Sequence, residues 1–327
     1  MPNTFPTDVK RLAISGALVI ALAPPASAND ATAEIGVGGL QMVYNSAVEV
    51  VSEDLFISAD EIRVAYVFRN ITEESQTVTV AFPLPPLDTT YQEIWVDLPD
   101  FESENYVGFE VVVNGKAITP SVYSRVSALG VDRTELLRSA GLPLNPLSFG
   151  VGEAISNLPA ATLQELRRAG LVAVEPWGTL PTWSLETTFY WEMTFPAGQE
   201  VTVEHRYEPV VGYGFFGTFG LEDEWYLDRY CIDESFAAAA RRMIEANDPE
   251  FGIADEQRIR YLLTPAQNWA SPIGTFHLTV DKGSENALVS FCGTGVTKTG
   301  PTVFELTYTD YWPEQELDIL IIDPIDQ

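Results

Sequence analysis

Apolar and polar positions alternate along much of this chain. Ile62, Val64, Tyr66 and Phe68 fall on one side, and Arg63, Ala65, Val67 and Arg69 on the other. A period of two is the mark of a strand, because successive side chains point to opposite faces. The polar residues 70–74 predict a turn and 77–82 a partner strand. Pro83, Pro85 and Pro86 end that strand, since proline cannot donate to a ladder. Residues 109–113 and 116–118 flank Asn114-Gly115. They predict a hairpin, because a type I′ turn needs positive φ at both central residues.

Alternation lapses between 129 and 174. Asp132 is placed to cap a short helix that Gly141 ends, and 160–169 reads as a second helix with Gly170 just past its end. We read this as a small helical insertion between strands, either packed on a sheet edge or serving as a lid or partner surface. Strands resume at 183–195 and 200–208. In the second, Val201, Val203, His205 and Tyr207 share one face. The glycine-rich 209–220 reads as a link between halves. Asp233 is placed to cap a helix over 234–246. Short strands are expected at 261–263, 274–280, 287–292, 302–309 and 317–322. Repeated short strands predict a mainly β protein built of sandwich regions. One would span 29–212, with the insertion at about 129–174; a second β-rich region with one helix would span 213–327.

The first 28 residues depart from this pattern. Lys10 and Arg11 precede an apolar run, 12–23, that is too short to span a bilayer. Pro24 and Pro25 follow, and then Ala26-Ser27-Ala28, an A-x-A cleavage site. A signal peptide over 1–28 is expected, with Asn29 as the first mature residue and a periplasmic or secreted location. No membrane span is expected once the signal is removed. In an oxidising compartment, Cys231 and Cys292 are most simply a disulfide, and no C-x-x-C spacing suggests a redox pair.

Charge narrows the partners. The chain carries a net −29, and without its first 28 residues 16 basic groups face 46 acidic ones. Such a surface repels nucleic acid, whose binding needs cations to neutralise phosphates, and it repels anionic lipid.

The candidate chemistry is sparse. There are two histidines. His205 lies on the inward strand face, as a general base, a metal ligand or a core histidine with a buried partner. His277, between Phe276 and Leu278, should point away from the apolar face. No H-E-x-x-H is present, and no G-x-S-x-G lies beyond residue 28. Residues 292–302 (CGTGVTKTGPT) miss the spacing of a phosphate loop and read as a turn. Two carboxylates could support glycoside hydrolysis, but with so many acids no pair stands out. Asp97, Asp100, Glu102 and Glu104 form an acidic loop that calcium could use, without the EF-hand register. Trp177, Trp183, Trp191, Trp225, Trp269 and Trp312 are either a sugar-stacking surface or core. No catalytic residue, metal ligand or cofactor is nominated.

Several segments together resemble a bacterial secreted family known as domain of unknown function 4424. They are NDATAEIGVGGL at 29–40, SEDLFIS at 52–58, FPLP at 82–85 and HRYEPVVG at 205–212. YCID at 230–233, NWASPIGTFHLTVDKG at 268–283 and FCGTGVTKTGPT at 291–302 continue the match. The resemblance implies an exported protein with an immunoglobulin-like β-sandwich and no established activity. The expected function is a non-catalytic cell-envelope protein that binds a protein or glycan partner. A carboxylate-dependent hydrolase of envelope polysaccharide and a calcium-dependent adhesion or structural module are the alternatives. His205, Tyr207, Asn268 and Trp269 are the candidate functional or structural residues.

Overall fold

The computed structural model describes residues 29–36, 39–88, 95–176, 178–247 and 252–325. The expected signal peptide and Trp177 lie outside them. The period-two segment forms the strand Ile62–Asn70, whose inward residues Ile62, Val64, Tyr66 and Phe68 are buried. It sits inside an eight-stranded sheet. Val48–Ile57 pairs with it antiparallel on one side and Glu200–Tyr207 on the other. Val48–Ile57 also pairs parallel with Ile273–Asp281. Strands from before and after residue 212 thus share this sheet. Asn114 (φ 49°) and Gly115 (φ 74°) make the turn of the hairpin Glu110–Val113/Lys116–Ile118 at its far end.

A seven-stranded sheet has Ser184–Phe195 between Ser121–Ala128 and Gln76–Pro83. It packs on the eight-stranded sheet through rings. Phe195 lies 5.8 Å from Phe68, and Phe82 and Trp191 lie 5.1 and 5.4 Å from the imidazole of His205. Each large side chain buried here stabilises the fold by roughly 1.5–3 kcal/mol.

A five-stranded sheet runs Leu288–Phe291, Leu317–Asp323, Ile253–Tyr261, Val211–Gly217 and Trp95–Asp97. Ile259, Tyr261, Ile319 and Ile321 join the main core. Phe216, Ala254, Leu320 and Ile322 pack under the helices Glu224–Tyr230 and Glu234–Asn247, meeting Tyr230, Phe236, Ala240 and Ile244. Asp233 caps the second helix, its Oδ1 accepting from the Phe236 N–H at 2.7 Å.

Three expectations need correction. The stretch 209–220 is not a link but the strand Val211–Gly217 and a turn of 3-10 helix, Thr218–Leu221. The strand expected at 261–263 is Ile253–Tyr261, and it ends where that one was to begin. The insertion holds a third helix, Val151–Ser156, between Thr134–Ser139 and Ala160–Arg168, and a hairpin, Val172–Glu175/Gly178–Pro181, follows. Asp132 lies one residue outside the first helix's cap position, yet its Oδ1 still accepts from the Thr134 N–H at 2.9 Å. The protein is mainly β. No helix among the described residues is long and apolar enough to cross a membrane.

Candidate functional site

His205 is fully enclosed. Its Nε2 lies 3.0 Å from Asp30 Oδ1, and both side chains are wholly buried. Rings of Tyr66, Phe82, Phe109 and Trp191 surround the imidazole. Trp269 Nε1 donates to the Asp30 carbonyl at 2.6 Å. Next to this pair, Asn29 Nδ2 donates to Glu53 Oε2 at 3.1 Å, and Tyr66 donates to Asn29 Oδ1 and lies 3.1 Å from the Tyr261 hydroxyl. Burial raises the Asp30 carboxyl, against the opposing pull of His205. Burial likewise pushes Glu53 up to about 8, opposed by the Asn29 hydrogen bond and helped by the charge of Asp30. These groups are core and mostly held by hydrogen bonds, although Asp30 Oδ2 and His205 Nδ1 have no hydrogen-bond partner among the described residues.

The other candidates divide. Trp269 packs on Phe68 and Phe195 in the same core. Asn268 holds its own turn, donating to the Pro265 carbonyl at 3.1 Å, and its carbonyl accepts from the Asn45 N–H. Tyr207 is buried, its hydroxyl has no hydrogen-bond partner among the described residues, and the residue lines a surface cleft. Cys231 and Cys292 are joined by a disulfide. Cys231, in the left-handed region at φ 50°, ends the helix Glu224–Tyr230. The bridge therefore ties that helix to the end of the strand Leu288–Phe291.

That helix forms one wall of the cleft, which measures about 320 Å³. The proline-containing run Leu84–Leu87 also lines it. Arg229 comes from the helix, Arg258 and Arg260 from the strand Ile253–Tyr261, and Asp318 from the adjacent strand. Arg229 Nη2 donates to Asp318 Oδ1 at 2.7 Å, and Arg260 Nε lies 3.7 Å from the same oxygen. Arg258 Nε lies 3.2 Å from Glu256 Oε1. The Arg229 guanidinium sits 4.7 Å over the Trp225 ring, a cation–π contact. Three of the 18 cationic side chains of an acidic chain thus meet in one cleft.

A second cleft, about 530 Å³, shares Trp225 and Arg258 with the first. Trp95, Tyr213, Phe215, Phe219 and Tyr226 floor it. Trp95, Phe215 and Phe219 are 55%, 46% and 57% exposed. Burial, with Glu256 beside it, pushes the Tyr226 hydroxyl up to about 12. Together the clefts make an aromatic floor that adjoins a cluster of arginines. Of the expected tryptophans among the described residues, only Trp225 belongs to it. Trp183, Trp191 and Trp269 are buried. Trp95, Arg229, Arg258 and Arg260 were not expected in any site.

The alternatives meet physical obstacles. A hydrolase needs a carboxyl raised by burial beside a second one, and Glu53 with Asp30 fits that electrostatic pattern. Both are sealed at 1% and 0% exposure, out of a substrate's reach. In the acidic loop, Asp100 Oδ1 accepts from the Glu102 and Ser103 N–H groups, and Glu102 Oε1 from the Phe149 N–H. Among the described residues, no three His, Cys, Asp or Glu side chains gather where they could hold a metal ion.

A proposed nutrient-binding protein from Legionella pneumophila resembles this chain at 13% identity, over 90% of this chain and 70% of its own, with a TM-score of 0.44. At that level the likeness carries no functional weight. No curated protein matches. The family model described as domain of unknown function (DUF4424) matches residues 28–320, and the chain belongs to that family.

Proposed function

We propose that the protein is a non-catalytic binding protein of the cell envelope, periplasmic or secreted, with an acidic glycan as its ligand. The observation that carries this is the junction at Trp225 and Arg258. Aromatic faces suit the apolar faces of sugar rings, and guanidiniums suit carboxylates as bidentate donors. The chain is strongly acidic and would repel such a ligand, so the three arginines, which outnumber Asp88 and Asp318 in their cleft, localise it. The disulfide and the expected signal peptide support an oxidising compartment. The two large packed sheets support an immunoglobulin-like sandwich as the scaffold.

The test is calorimetric titration with uronic-acid oligosaccharides and with neutral oligosaccharides of equal length. The acidic series should bind and the neutral series should not. Arg260→Ser and Phe215→Ala both alter part-exposed side chains, so the fold should survive. Each should weaken binding about tenfold, the equivalent of roughly 1.4 kcal/mol. Equal binding of both series, or unchanged affinity in both variants, would refute the proposal.

A further inference from the structure

The buried polar cluster holds more acid than base. Asp30 has His205 as its partner at 3.0 Å. Glu53 has the neutral amide of Asn29, at 3.1 and 3.3 Å. Among the described residues, no Lys, Arg or His side chain stands within ion-pair distance of Glu53. A carboxylate at 1% exposure without a cation is costly, and it either takes up a proton or finds a partner. Its upward shift to about 8 states the same imbalance.

The residue touching Glu53 is the one that follows the expected cleavage site. Asn29 is 0% exposed. Its side chain is pinned at both ends, Nδ2 to Glu53 and Oδ1 accepting from the Tyr66 hydroxyl and the Asp30 N–H. Asp30 is held in turn by Trp269 and His205. The α-nitrogen of Asn29 is thus carried by a buried residue whose side-chain amide touches Glu53 and whose neighbour is Asp30. The family match begins at residue 28, so the leader lies outside what the family shares.

We propose that cleavage after Ala28 completes this cluster: the α-ammonium freed on Asn29 stays in the core and pairs with Glu53, beside Asp30. Water adds across the Ala28–Asn29 peptide bond under a peptidase of the export machinery. Its hydroxyl goes to the Ala28 carbonyl carbon and its hydrogen to the Asn29 nitrogen, which takes a further proton from solvent. A neutral amide becomes a cation at the place where the core lacks one. Removal of the leader is then a step in folding as well as in export.

The test uses the full mature chain recovered after export, with its disulfide formed. Mass spectrometry should place its first residue at Asn29. In the native protein the α-amine should resist acylation by an amine-reactive ester, reacting at least 100-fold more slowly than exposed Lys116, and should react freely after denaturation. A chain that retains Ala28 should melt on the order of 10 °C lower, since a broken buried pair is among the larger single losses. In a Glu53→Gln background, the mature and Ala28-retaining chains should melt together, because the charge that distinguished them is gone. The proposal is overturned by a different first residue, by native labelling as fast as that of Lys116, or by equal melting of the two chains with Glu53 intact. It is also overturned if the same deficit persists in the Glu53→Gln background. If Glu53→Gln does not fold, labelling of the unaltered protein decides.

Discussion

His205→Ala removes the partner of a buried carboxylate. Asp30 and His205 have wholly buried side chains 3.0 Å apart, so water cannot replace the lost imidazole without opening the core. Breaking a buried pair by deleting one partner costs about 3–5 kcal/mol. The ring also fills space among Tyr66, Phe82, Phe109 and Trp191, so a cavity adds to the loss. A total near 5 kcal/mol corresponds to a drop in Tm of about 8 °C for a chain of this size. The deficit should depend on pH. The folded Asp30 carboxyl is raised above its ordinary value by burial, so its protonated form is the one the fold favours. Below the ordinary carboxylate range the penalty is absent; it grows as pH rises through the raised value. Thermal melts at pH 4 and pH 8 should therefore show a smaller deficit at the lower pH. Adding Asp30→Asn to His205→Ala should recover part of the loss at pH 8, since the stranded charge is gone. A single variant that melts within about 2 °C of the parent at pH 8 would refute the reasoning. Failure of Asp30→Asn to recover anything would show that packing alone sets the cost.

The disulfide closes a loop with a sequence separation of 61, worth about 4 kcal/mol by chain entropy. Reduction should lower Tm by roughly 6 °C, and because the bridge anchors the helix carrying Trp225 and Arg229, it should weaken oligosaccharide binding below the melting range. An unchanged melt after complete reduction, checked by thiol labelling, contradicts this. Gly274→Ala should destabilise by about 2 kcal/mol or more in chemical denaturation, because a Cβ there would lie 2.6 Å from the Val51 carbonyl oxygen, which is backbone and cannot step aside. Gly36→Ala, where nothing lies within 4 Å, is the control and should change stability by less than about 0.5 kcal/mol.

Strands with a clean alternation were legible in the sequence, and so were elements closed by a specific residue. The strand Ile62–Asn70, the Asn114-Gly115 hairpin and the Asp233-capped helix belong to this group. The strand Ile253–Tyr261 was hidden by its charges. Glu256 and Arg258 look solvent-facing in sequence, yet both are buried and pair with each other. The strand Val211–Gly217 was hidden by its glycines. At Gly214 the space a side chain would take adjoins Glu256 and Arg258 of the neighbouring strand. Those two unread strands bring Arg258 beside Tyr213 and Phe215, which is why the clefts could not be foreseen. His205 was legible as an inward residue, but its partner Asp30 lies 175 positions away and nothing local points to it.

The parallel pairing of Val48–Ile57 with Ile273–Asp281 sets the timing of assembly. Leu55 comes to rest opposite Leu278, so an early strand waits for one synthesised much later. Closing so long a loop before any contact rewards it makes the step intrinsically slow. Until then the edge of Val48–Ile57 is open to pairing with other chains. An unfinished chain thus lacks part of its central sheet. The same delay leaves truncated products exposed to proteolysis.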